Sequence, residues 1–132
     1  MLRIMSHPIE IMKLLVGSDM DFSLEEKKVG TWIDGKPIYS KTFADLSMTT
    51  TKYWINLVDI SDLNIDNIVH SFGQSKFTND NGSNAWYPLG SHGAGANIGA
   101  IVVTKSIIQG YLDWLSGTCT FTVTLWYTKT TD

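Results

Sequence analysis

From Thr118 to Thr128 the chain alternates without a break, with Cys119, Phe121, Val123, Leu125 and Tyr127 at one parity and Thr118, Thr120, Thr122, Thr124, Trp126 and Thr128 at the other. Successive side chains of a strand point to opposite faces, so this run predicts a long strand with an apolar core face and a threonine ladder on its back. A helix would scatter both sets around its surface. The rest of the sequence must therefore supply partner strands and a second layer to cover the apolar face.

Those partners are visible from Thr31 onward, where β-branched and aromatic residues recur at period two between turn residues. Thr31-Trp32-Ile33 and Lys36-Pro37-Ile38-Tyr39 flank Asp34-Gly35, which predicts a hairpin closed by a type I′ turn. Pro37 has no N–H, which places this hairpin near a sheet edge. Trp32 and Pro37 are expected to pair across it as a rigid apolar patch. Tyr53, Ile55 and Leu57 predict one core-facing side of a strand, with Trp54 and Asn56 opposite. Ile98, Ala100 and Val102 alternate with further apolar residues, so this strand is expected to be central or covered by a second surface, a candidate inner strand. Ile108, Leu112 and Trp114 share a parity, with Gly110 permitting a bend or a close backbone approach. About seven or eight short strands in such a chain predict an all-β domain, a β-sandwich of jelly-roll type.

Ahead of this zone, Pro8, Ile11, Met12, Leu15, Val16 and Gly17 fit a short amphipathic helix, so residues 1–22 read as an extension and residues 23–132 as the β domain. Ser23-Leu24-Glu25-Glu26 matches a capping box and predicts one helical turn between the two. A length of 132 residues suits one core.

Several function classes lose support at this level. With a net charge of −3 and no Lys/Arg cluster there is no stripe to neutralise phosphates, and nucleic acid is not an expected partner. No apolar run reaches the roughly 18 residues of a spanning helix, so no membrane insertion is expected. His7, His70 and His92 lack metal-ligand spacing, and the single Cys119 lies in mid-strand as a buried structural thiol. Asp62-Leu63-Asn64-Ile65-Asp66 begins like a calcium loop, but Asn67 and Gly73 replace the glycine and glutamate that such a loop needs. Residues 90–95 lack both the phosphate-binding lysine and the nucleophile-turn spacing, and read as an interstrand loop. Asn79-Asp80-Asn81-Gly82 reads as a turn. No cofactor, metal or catalytic residue is indicated, and the chain is not expected to be an enzyme.

Trp86 and Tyr87 stand in a Gly/Asn/Ser-rich segment, residues 79–97, with no alternation of their own. Aromatics in long loops often bind ligands, so Trp86 and Tyr87, with His92 nearby, form the candidate receptor-binding set, stacking on sugar rings.

Two stretches carry a resemblance. Residues 23–39, Ser-Leu-Glu-Glu-Lys-Lys-Val-Gly-Thr-Trp-Ile-Asp-Gly-Lys-Pro-Ile-Tyr, and the ending Leu125-Trp126-Tyr127-Thr128-Lys129-Thr130-Thr131-Asp132 resemble the start and end of a module in tailed-phage and prophage virion proteins. Leu24 stands where that module usually has threonine, and Ser40 where arginine is expected. The resemblance implies the C-terminal domain of a tail-fibre, head-fibre or related appendage protein, commonly homotrimeric, active in assembly or host-surface attachment, and located in the virion after assembly in the bacterial cytoplasm. It brings no catalytic residues. In that setting Trp32, Pro37, Thr122, Thr124 and Trp126 are the expected subunit-interface residues. Two other readings stand beside it: a free carbohydrate-binding module, and a cell-wall glycan hydrolase, which needs two carboxylates across a cleft that no spacing here singles out.

Overall fold

A computed structural model describes residues 22–49, 53–89, 91–93, 96–98, 100–113 and 117–131. The expected N-terminal helix and Trp114 lie outside them. The described residues form an all-β structure of two antiparallel sheets and a short hairpin. The larger sheet has five strands in the order β1 (Lys27–Thr31), β2 (Pro37–Thr49), β10 (Thr118–Lys129), β4 (Ile65–Thr78), β5 (Asn84–Pro88). The smaller runs β3 (Ile55–Asp59), β9 (Ile107–Tyr111), β8 (Ala100–Val103), while β6 (Ser91–Gly93) pairs with β7 (Ala96–Ile98).

The alternating C-terminal run is the middle strand of the larger sheet, hydrogen-bonded to β2 on one side and β4 on the other. Cys119, Phe121, Val123, Leu125 and Tyr127 are all fully buried, as their parity requires. Burying one such aliphatic or aromatic side chain contributes about 1.5–3 kcal/mol, so this strand alone supplies much of the core. Ile108 and Leu112 meet it from the smaller sheet, with Leu57, Ile101 and Val103 packed around them. Gly110 is the point of closest approach, since a Cβ there would lie 2.8 Å from Leu57 Cδ1 and 2.9 Å from Met48 Sδ. A 3₁₀ turn at Ser61–Leu63 puts Leu63, with its neighbours Ile60 and Ile65, into the same core. The would-be calcium segment is therefore a sheet-to-sheet crossing whose apolar residues point inward.

Other expectations are corrected. The first hairpin forms, but only Gly35 has positive φ (89°), whereas a type I′ turn needs it at Asp34 as well. The loop instead has three residues. Trp32 O accepts from Gly35 N–H, Trp32 N–H donates to Lys36 O, and Asp34 Oδ1 caps the Lys36 N–H. The β4–β5 loop repeats this arrangement through Asn79, Gly82 and Ser83. The register pairs Pro37 with Thr31, so Trp32 and Pro37 do not face each other. No helical turn forms at Ser23: its hydroxyl accepts the Glu25 N–H two residues on, and Glu26 is drawn toward β10 instead. Tyr53 and Ile55 are exposed, because β3 lies at the sheet edge and a bulge between Asn56 and Val58 turns Leu57 and Val58 inward together. β8 is an edge strand and β9 the inner one, since the hairpin partner of β8 occupies the middle of a three-stranded sheet.

Candidate functional surfaces

Residues 23–39 and 125–132 meet in space. Tyr127 Oη donates to Glu26 Oε2 at 2.5 Å, and Lys129 Nζ pairs with Glu26 Oε1 at 2.7 Å while sitting 5.1 Å from the centre of the Tyr39 ring. Lys36 Nζ completes the group, 2.8 Å from Asp66 Oδ2 and 3.4 Å from the Lys129 carbonyl oxygen. Burial, reinforced by the hydrogen bond to Glu26, holds the Tyr127 hydroxyl protonated far above its ordinary pKa. Lys36 holds the Asp66 carboxyl below the usual range through a hydrogen bond and its charge. Both Glu26 oxygens are engaged, so this cluster is a clasp fixing the edge hairpin to the central strand.

The back of the larger sheet is built differently. Thr118, Thr120, Thr122, Thr124 and Trp126 of β10 pair across β4 with Thr78, Lys76, Gln74, Phe72 and His70. Phe72 packs edge-on against Trp126, with ring centres 5.6 Å apart, and stacks on His70 at 5.1 Å. Phe22 adds a fourth ring 6.1 Å from Phe72. Because Thr42 N–H donates to the neighbouring Ser23 carbonyl on the β2 side, Phe22 reaches across the width of β10 to do so. Thr42 and Thr124 are buried, and their hydroxyls are 2.7 Å apart.

The candidate interface residues thus separate. Trp126 and Thr122 are half-buried on this back face, and Thr124 is enclosed within the chain itself. Pro37 takes the parity of Tyr39, the side opposite Ser40 and Trp126, and Trp32 closes the hairpin loop. The candidate receptor residues separate as well. Trp86 and Tyr87 belong to strand β5 and not to a loop, so they point to opposite faces: Trp86 is 58% exposed beside Lys76 Nζ, 5.6 Å from its ring centre, while Tyr87 packs against the core. His92 lies in β6, paired with Asn97.

Sequence reasoning missed Phe22, His70 and Phe72. The signal was the shared parity of His70, Phe72, Gln74 and Lys76, obscured because the other parity, Val69, Ser71, Gly73, Ser75 and Phe77, is largely small and polar and does not read as a core face.

The outer face of the smaller sheet carries a second aromatic group. Trp54 and Tyr111 rings are 5.2 Å apart, and one step along the ladder Gln109 Nε2 donates to Asn56 Oδ1 at 2.8 Å. Between the layers, Ile68, Ser71, Leu89, Ile101 and Val103 line a cavity of about 330 Å³. Among the described residues no three His, Cys, Asp or Glu side chains gather as a metal site. Comparison with family models, with curated proteins and with solved structures returned no match.

Proposed function

We propose that this chain is a structural and adhesion domain of a bacteriophage fibre or related virion appendage. In this reading it assembles as a homotrimer through the back of the larger sheet and contributes to host-surface attachment. One observation carries the assembly part: a half-buried Trp126, flanked by Phe72 and His70 with Phe22 beyond Phe72, continues into a threonine ladder, and the β10 residues on this face, Thr118 to Thr128, include no charged side chain. Aromatic residues with little charge suit the centre of an interface, and a flat uncharged strand face suits symmetric packing of identical copies. The resemblance of residues 23–39 and 125–132 to phage appendage modules supports the setting. Within this chain the two stretches are joined directly, since Glu26, Lys36, Tyr127 and Lys129 hold one another in place.

The jelly-roll form of the sandwich belongs to the same proposal. β2 pairs with β10 and β3 with β9, so early strands lie against late ones in both sheets, as in a wound double-layer fold. The β1–β2, β4–β5 and β8–β9 pairs are instead local hairpins.

Thr122→Arg tests the assembly face, because Thr122 is half-exposed on the ladder and outside the aromatic cluster. The variant should sediment as a monomer with an unchanged circular dichroism spectrum. An unaltered trimer would rule out the back of the larger sheet as the interface.

A further inference from the structure

If the back of the larger sheet joins copies together, the surface left for a host ligand is the outer face of the smaller sheet. That face is not generic. Asn56 pairs in register with Gln109, and Trp54 and Tyr111 stand two residues away on the same side of their strands, so the four side chains make a square of two rings above two amides. Val102 and Ala100 of β8 extend it, opposite Gln109 and Tyr111. Trp54 is 45% exposed although it is among the largest apolar side chains of the chain.

The chemistry left open is specific. Gln109 spends one amide hydrogen on Asn56 Oδ1, which leaves the Asn56 amide group as donor and the Gln109 carbonyl oxygen as acceptor, side by side. A pyranose ring offers the matching pattern, with C–H bonds on one face for an aromatic ring and adjacent hydroxyls, each donor and acceptor, at its edge. No ionised side chain belongs to the square. The nearest carboxylate along β3, Asp59, accepts hydrogen bonds from Ser61 N–H at 2.9 Å and Ser61 Oγ at 2.6 Å.

We propose that Trp54, Tyr111, Asn56 and Gln109 form a binding site for neutral hexopyranose units of a surface glycan. This deepens the adhesion part of the proposed function and rests on it for its biological setting, while the site itself needs no second copy of the chain. It also moves the sugar-stacking role from Trp86, whose exposed ring shares the assembly face with Lys76.

The test is a titration of the full chain with neutral pentasaccharides built from glucose, galactose, mannose or N-acetylglucosamine, against sialyllactose and oligogalacturonate as charged controls. Binding is followed by calorimetry and tryptophan emission. At least one neutral series should bind, with affinity falling about tenfold or more in Trp54→Ala and in Asn56→Ala/Gln109→Ala and unchanged in Trp86→Ala. Because both site variants alter an edge strand and an exposed face, retained thermal melting certifies that they fold. No binding of any neutral series up to roughly 10 mM, preference for the charged controls, or full affinity in Trp54→Ala would overturn the proposal. Light scattering on the same samples separates the two claims: a trimer that binds no sugar removes this site alone, and a monomer that binds sugar removes the assembly face alone.

Discussion

Gly73 shows how much a single position can decide. A Cβ there would lie 1.9 Å from the Thr122 carbonyl oxygen, so Gly73→Ala must push β4 off the central strand. The expected loss is about 3 kcal/mol or more in chemical denaturation. Gly35 makes the contrast, with open space around it and only its φ of 89° at stake; Gly35→Ala should cost about 1 kcal/mol. Thr128 points the other way. Its hydroxyl is buried without a hydrogen-bond partner, so Thr128→Val, of nearly the same shape, should leave stability unchanged or raise it by about 1 kcal/mol. Cys119 sets an alkaline limit. Burial raises its thiol pKa from 9.0 to about 11, with Ser75 opposing, so the neutral thiol favours folding fully below pH 9 and this advantage is lost as pH rises toward 11. Tyr127 acts in the same direction. Urea midpoints across that range should fall more steeply for the native chain than for Cys119→Ala.

At the scale of elements, β10 is the organising strand, with neighbours on both sides and its apolar residues fully buried. Its amides should exchange with deuterium last, and those of the edge strands β1, β5, β3 and β8 first. The faces of β10 were legible in the sequence because alternation is local and no bulge reverses it from Thr118 to Tyr127. In β3 alternation was a poorer guide, since Tyr53 and Ile55 are exposed along with Trp54 and Asn56. Edges and bulges were not legible. Whether β8 lies inside or at the rim depends on which strand pairs next to it, and the turn of Leu57 and Val58 inward depends on an extra residue opposite β9. The candidate surfaces suffered most from this. Phe22, His70, Phe72 and Trp126 come from a segment before β1 and from two strands distant in sequence, so no local pattern announces their meeting. Trp86 and Tyr87 looked like a loop pair because the Asn/Gly-rich turn before them masked a short strand.

Taken as one molecule, the fold sorts the conspicuous residues into two kinds. Glu26, Lys36, Tyr127 and Lys129 are spent on internal contacts, which close the β1–β2 hairpin onto β10. The surfaces open to a partner lie elsewhere, on the back of the larger sheet and the outer face of the smaller. That division leaves the proposed assembly face, the back of the larger sheet, outside the clasp. Its most direct test is the solution mass of the native chain by light scattering after gel filtration. The proposed homotrimer gives a single species at three times the 14.7 kDa chain mass. A stable monomer across the accessible concentration range would contradict it.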